Sequence, residues 1–361
     1  MFRTIGIMLG SLFVSEFCGA ADDLDHQQLS ERLSRQEAQL RDLQNSVTNL
    51  TRLLFNPTDP QVSEAVVRRG ETGFRALYTI NRQGTDLRYL LAAPGMIVTG
   101  TPQWSHDGKA IVCDSMPQLD QPVLSRIWVY GISGPFKGMI RHLSVGNTPS
   151  WSPDDSQIAF MVNPGNPDGI KEGTWIMDAD GRNGRWIGEG WYPRWSPSGN
   201  ELCVYAHFTN PPNLVIYNLK TEQRRSIFGA DTQVIFGGAS WTRDGERLVT
   251  LISRNGEQQL VTIAASGKPE TLQVVYRETE QNRVLVGPPT VSPDGQEIVF
   301  IRQELEHEDA GSRQWMNTYL YVISADGQGK PQLLEGAKLG KINRSVDWSP
   351  DGLRILFSSE R

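Results

Sequence analysis

One short sentence of sequence recurs six times between Thr101 and the end of the chain, and no other feature restricts the fold as much. It reads TPQWSHDGKAIV from Thr101, TPSWSPDDSQIAF from Thr148, YPRWSPSGNELCV from Tyr192, GASWTRDGERLVT from Gly238, PPTVSPDGQEIVF from Pro288 and SVDWSPDGLRILF from Ser345. The aligned residues Trp104, Trp151, Trp195, Trp241, Val291 and Trp348 stand 47, 44, 46, 50 and 57 residues apart. A period of that length suits one four-stranded propeller blade per repeat and does not suit a helical solenoid unit. The 35 Gly, 21 Pro and 10 Trp agree with an all-β fold of many tight turns and large packing residues.

Each part of the sentence has a physical task. The residues up to the Trp form an inner strand whose ring fills the wedge between neighbouring units, a burial worth roughly 3 to 5 kcal/mol when truncated to Ala. In Ser-Pro-Asp-Gly, Pro presets φ, Asp bonds back to nearby amides and Gly tolerates positive φ, so the motif is a hairpin turn. Asp107, Asp244, Asp294 and Asp351 are therefore read as turn formers, although repeated carboxylates invite a catalytic reading. The apolar run after each turn is the second strand. A further strand pair follows most repeats, from Ile127, Thr174, Asn213, Gln259 and Tyr319. The sixth pair is missing after Phe357 and is found at the front, as ALYTINRQGTDLRYLL from Ala76. The count balances if Ala76 to Leu91 completes the last unit, which closes the ring and covers its open edges.

The W-S-P-D-G sentences resemble the repeats of TolB-like, WD-repeat-like propellers over roughly residues 74–361. Departures are Val291 for Trp, His106 for Pro, altered turns at Asp155 and Ser198, and Thr242-Arg243. The resemblance implies a six-bladed β-propeller closed by N-terminal strands. It also implies that the Ser-Pro-Asp-Gly turns share one face and that the loops between second and third strands share the other. Those loops are long, irregular and polar, as binding loops on a repeat scaffold are. Candidate binding residues there are Asn166, Asp168, Lys171, His207, Asn210, Glu304, His307, Glu308, Arg313 and Trp315, with Trp191 and Tyr192 from a neighbouring connection. Aromatic and charged side chains together suit a protein or glycan contact.

The same blades occur in Tol-system components, in prolyl-oligopeptidase-type peptidases and in oligogalacturonate lyases, so the resemblance alone does not fix an activity. A serine hydrolase would need a G-x-S-x-G elbow and an α/β region to house its triad, and neither is in the sequence. A lyase-type metal site would need His side chains converging on the channel. The propeller has His106, His142, His207 and His307, of which His207 and His307 follow second strands and could approach one another. His-E-x-x-H, paired C-x-x-C, P-loop and dinucleotide motifs are absent, and no cofactor is expected. The formal charge of −6 and the lack of a basic patch argue against nucleic acid.

Residues 1–21 read as a signal peptide, with Arg3, an apolar run from Ile5 to Val14, and Gly19, Ala20 and Ala21 before Asp22; the run is short for a membrane span. Residues 22–56 read as a coiled-coil helix with His26, Leu33, Leu40, Val47 and Leu54 at one seam position and Leu29, Gln36, Leu43 and Leu50 at the other. Asn56-Pro57 ends it, and 57–73 reads as a linker. Cys113 and Cys203 are expected as buried free thiols. The sequence thus describes an exported, periplasmic or cell-envelope scaffold, oligomerised through 22–56 as a dimer or trimer, that binds an envelope protein or glycan. The alternative is a carbohydrate-active enzyme of the oligogalacturonate-lyase kind.

Overall fold

The computed structural model describes residues 75–93, 96–118, 121–305, 315–339 and 342–360. The expected signal peptide (1–21), coiled coil (22–56) and linker (57–73) lie outside the described residues. The described residues are all-β. In chain order the strands are β1 (Arg75–Asn81) and β2 (Arg88–Leu91), then β3 (Val98–Trp104), β4 (Ala110–Met116), β5 (Arg126–Gly131) and β6 (Ile140–Val145). There follow β7 (Asn147–Trp151), β8 (Gln157–Val162), β9 (Gly173–Asp178) and β10 (Arg185–Gly188), and next β11 (Trp191–Trp195), β12 (Glu201–Ala206), β13 (Asn213–Asn218) and β14 (Arg224–Ser226). The last are β15 (Gln233–Trp241), β16 (Arg247–Arg254), β17 (Glu257–Ala264) and β18 (Gln273–Glu278), β19 (Arg283–Val291), β20 (Glu297–Leu305), β21 (Trp315–Ser324) and β22 (Gln332–Leu333), and β23 (Ile342–Trp348) and β24 (Arg354–Glu360).

Six separate four-stranded units are not what these strands form. Four antiparallel sheets of four strands stand alone, β7 to β10, β11 to β14, β15 to β18 and β19 to β22, and the other eight strands make one sheet. The cause is a single parallel bridge, Arg75 to Val98, that joins β1 to β3 and so fuses β23-β24-β1-β2 with β3-β4-β5-β6. Within this sheet β1 runs antiparallel to β24 in unbroken register from Arg75↔Glu360 to Asn81↔Arg354. Arg354 reinforces the pairing, its Nε donating to Thr79 Oγ1 at 3.0 Å and its Nη1 reaching Asp86 at 2.8 Å.

Second strands such as β4, β8, β12 and β24 are buried on both faces, which is why they read as continuous apolar runs and not as alternating ones. The repeated aromatic packs on the preceding sheet. Trp348 sits with Val299 and Leu320, Trp241 with Cys203 and Ile216, Trp195 with Ala159 and Ile176, and Trp151 with Val112 and Ile127. Trp104 is half-buried in the corresponding place, against a core containing Leu77 and Leu356. Cys113 and Cys203 are buried and free.

The turns explain their own carboxylates. In the first, Ser105 Oγ donates to Asp107 Oδ1 at 2.8 Å, the same carboxylate accepts Lys109 N, and Ala110 N donates to Ser105 Oγ. Asp294 and Asp351 repeat this with Ser292 and Gln296 N, and with Ser349 and Leu353 N. The Ser292 hydroxyl, then the Gln296 amide and Arg82, hold the Asp294 carboxyl at about 2. These turns also touch across repeats. A Cβ at Gly108 would stand 3.9 Å from Pro350 Cγ, one at Gly199 3.8 Å from Pro153 Cδ, one at Gly245 3.5 Å from Pro197 Cδ and one at Gly352 3.7 Å from Pro293 Cδ. Glycine of one turn therefore lies against proline of the turn before.

Two junctions depart from this rule, and they involve the repeats that lack Pro. Asp155 takes the glycine place opposite His106, which takes the proline place. The Asp155 carboxylate accepts His106 N at 2.8 Å and Asp107 N at 2.9 Å, and lies 3.1 Å from His106 Nδ1. At the other, Arg243 Nη1 donates to Pro293 O at 3.4 Å. A feature the sequence did not announce is a kink in the inner strands: Thr101, Thr148, Tyr192, Gly238 and Ser345, each three residues before its Trp, have φ of 33°, 49°, 53°, 81° and 47°. The ladders shift register there, as at a β-bulge, so the kink re-aims the side chains that follow.

Candidate functional site

The inner strands begin at the end that carries the loops between second and third strands, because Trp191 pairs with Tyr205 at the end of β12 and Val234 pairs with Ile252 near the end of β16. At this end an aromatic group gathers between the β11 and β15 sheets. His207 stacks on Trp191 with ring centroids 4.0 Å apart and 22° between planes. Phe236 meets Trp191, Tyr192 and Tyr205 edge-on at 6.0, 5.1 and 5.5 Å, and Phe208 meets His207 at 5.7 Å. Burial pushes the Tyr192 hydroxyl well above its ordinary range.

The backbone around this group is firmly set. Thr209 Oγ1 donates to Ala206 O and Pro211 O, both at 2.9 Å, which shapes the 206–212 loop, and Val234 N donates to Pro212 O at 2.9 Å, which ties β15 to it. Gly190, just before β11, has φ of 112°, and a Cβ there would come 2.6 Å from Val204 Cγ2. Only glycine lets the chain enter β11 this closely. Phe236 stays 52 % exposed and Phe208 43 % exposed although both sit in aromatic contacts.

The candidate residues divide. Trp191, Tyr192 and His207 come together, and Asn210 lies exposed on the same loop. Three others are engaged within their own neighbourhoods. Asn166 is buried, its side chain bonding Asn163 O, Ile170 O and Ile170 N, so it staples its loop and presents nothing outward. Lys171 Nζ lies 3.2 Å from the centroid of the Trp186 ring, and Glu304 pairs with Arg283 at 2.9 Å. Asp168 is exposed, 3.9 Å from Arg126. His307, Glu308, Arg313 and the side chain of Trp315 lie outside the described residues. Sequence reasoning missed Phe208 and Phe236. The first adjoins His207, and the second stands just before the Gly-Gly of the fourth repeat.

The opposite, turn-bearing end holds a cavity of about 540 Å³ where the inner strands converge. Trp104, Trp195, Trp241 and Trp348 line it, with Gln103, Arg194, Ser240, Thr290 and Asp347 from the position just before the aromatic. This position reaches toward the next sheet: Gln103 Oε1 accepts Trp151 N at 2.6 Å, and Asp347 Oδ2 accepts Trp104 N at 2.8 Å. Burial raises Asp347 to about 7, against the opposing pull of the Trp104 amide and Arg194. Sequence reasoning missed this ring, although its signal is a column of polar residues one place before the aligned Trp or Val of each repeat.

No family model matches the chain. It is 29% identical over 217 residues to the uncharacterized peptidase YuxL of Bacillus subtilis, covering 58% of this chain and 30% of that protein. It is 35% identical over 77 residues to the Tol-Pal system protein TolB of Paramagnetospirillum magneticum, covering 20% of this chain and 17% of the relative. The matches thus span less than a third of these curated relatives. Among solved structures, the putative TolB of Agrobacterium tumefaciens superimposes with a TM-score of 0.60 at 16% identity, covering 80% of this chain and 98% of that one. TolB of Acinetobacter baumannii gives 0.51 at 15%, covering 83% and 69%. With its repeated inner strands, linked turns and β1 paired to β24, the protein has the fold of a TolB-like β-propeller.

Proposed function

We propose that this chain is a non-enzymatic binding propeller of the cell envelope. In this reading it has six blades, four being the separate sheets and two the halves of the eight-stranded sheet. It is exported behind residues 1–21 and oligomerised through residues 22–56. The observation that carries the reading is the Trp191, His207, Phe208 and Phe236 surface at the loop-bearing end, where two phenylalanines stay exposed on a braced backbone. Exposed aromatics on a rigid frame are the usual anchors of protein interfaces, and burying them on a partner supplies most of the binding energy. The likeness to TolB proteins, named for the Tol-Pal system, supports a protein partner in the envelope over a glycan. Oligomerisation would multiply the surface, so a repetitive target is held more tightly without new contacts.

A photo-crosslinking residue at position 236 in the full chain tests this. The expected result is one discrete adduct with an envelope protein, lost on Phe208→Ser. No adduct, or one indifferent to that change, overturns the reading. Light scattering of a chain lacking 22–56 is expected to show a monomer, and an unchanged oligomer rejects the coiled coil. A second, enzymatic reading is a carbohydrate-active enzyme of the oligogalacturonate-lyase kind or a peptidase, and only the peptidase reading draws on the name of the Bacillus relative. Turnover of acidic oligosaccharides or peptides by purified protein would replace the binding reading.

A further inference from the structure

We infer that the cavity at the turn-bearing end is a site for a small organic carboxylate, held by Arg194 with its apolar body against the tryptophans. Arg194 is the largest member of the polar ring that precedes the aromatics, and it is half-buried where it lines the cavity. Its Nη1 donates to Pro193 O at 3.0 Å and to Pro149 O at 3.5 Å, and no carboxylate lies within ion-pair distance among the described residues. Two other arginines with shielded side chains are neutralised, Arg302 by Glu278 at 2.8 Å and Arg354 by Asp86 at 2.8 Å, whereas half-buried Arg247 is held by Thr262 Oγ1 and Thr271 O. Desolvation lowers its pKa, and Asp347 and Asp114 oppose that only from a distance.

The remaining wall defines what would complete it. A carboxylate matches the planar guanidinium fork with two parallel charge-assisted bonds. Arg243 at the rim also lacks a carboxylate partner among the described residues, so the approach favours an anion. Between these cations stand Trp104, Trp195, Trp241 and Trp348, together with Pro102, Pro288 and Pro289. Trp104 is half-buried there and Trp195, Trp241 and Trp348 show only their edges, so the apolar contact offered to a ligand is an aromatic edge beside the cation. A volume of about 540 Å³ lies within the ordinary span of small-molecule sites. The site is at the other end of the inner strands from the aromatic surface and does not depend on the partner proposed there.

Calorimetry on the full chain with benzoate, and with benzamide as its neutral isostere, tests the assignment. Benzoate is expected to bind saturably and at least 10-fold more tightly than benzamide, and Arg194→Gln to erase that preference. If that variant does not fold, Arg194→Lys, which keeps the charge and loses the fork, is expected to weaken benzoate several-fold and leave benzamide unchanged. Asp347→Asn removes the negative charge of the facing wall and is expected to leave benzoate binding equal or tighter. N-acetylphenylalanine binding more tightly than benzoate would assign the carboxylate to a chain end, and the reverse to a free aromatic acid. Equal binding of benzoate and benzamide, indifference to Arg194, or no saturable benzoate binding overturns the proposal.

Discussion

The junction between His106 and Asp155 makes a prediction that can be worked through quantitatively. Asp155→Gly restores the residue that most other turns carry and removes an acceptor of three hydrogen bonds, from His106 N, His106 Nδ1 and Asp107 N. Charge-assisted bonds contribute about 1.5 to 3 kcal/mol each when shielded. The His106 side chain is 48 % exposed, so solvent screens the pair and the three together are set at roughly 2 kcal/mol. Glycine at φ of 58° returns about 1 kcal/mol of left-handed strain. The net loss is about 1 kcal/mol, a fall in Tm of roughly 2 to 4 °C for a domain of this size. His106→Pro with Asp155→Gly recreates the Pro-Gly contact of the other junctions and is expected to recover most of that loss. The bond to Asp155 is the main cause that raises the His106 pKa. Its contribution is therefore complete below the unfolded value near 6.5 and disappears as pH rises through the raised folded value. Denaturant melts of the four proteins of the cycle at pH 5.5 and pH 9 check it. An Asp155→Gly loss that is equal at both pH values, or a double variant no better than the single ones, refutes the reasoning.

Arg302→Met leaves Glu278 unpaired, with its side chain 3 % exposed, and is expected to cost about 3 to 5 kcal/mol by denaturant unfolding; a loss below 1 kcal/mol would show the pair to be solvated. Deleting residues 75–91 strips β24 of one of its two partners, leaving only β23, and is expected to abolish cooperative unfolding of the domain in calorimetry, whereas an unaltered melt would show that the pairing is dispensable. Burial pushes both thiols up, Cys203 to about 12. Alkylation mapped by mass spectrometry is therefore expected to leave Cys113 and Cys203 unmodified in native protein and to modify both in denaturant; labelling of the native thiols would contradict their burial.

What the sequence disclosed was local. Ser-Pro-Asp-Gly turns, apolar second strands and the borrowed module from Ala76 all rest on interactions within a few residues or on a simple count. What it concealed lies between repeats. His106 and Asp155 look like two unrelated lapses from the motif, because the bond that makes them one device joins residues 49 apart. Asn166 and Lys171 look like free loop groups, yet each side chain finds a neighbour within about 15 residues, since a loop's own backbone and rings compete with any ligand for its polar atoms. Phe236 carries no signal because an aromatic near the start of a strand is ordinary, and the rings it meets, Trp191, Tyr192 and Tyr205, belong to the sheet before it. Arg194 and Asp347 were within reach of a column-by-column reading of the repeats.

The pairing of β1 with β24 also bears on how the molecule is made. Residues that meet in that ladder are about 275 positions apart, as Arg354 and Thr79 are, so the first strand synthesised waits for the last. Until residues 354–360 have emerged, β1 has no partner on that side and every intermediate carries a bare strand edge. Loss of residues 354–360 would thus injure the beginning of the domain as much as its end. A chain that crosses a membrane in the unfolded state would complete its ladder only on the far side.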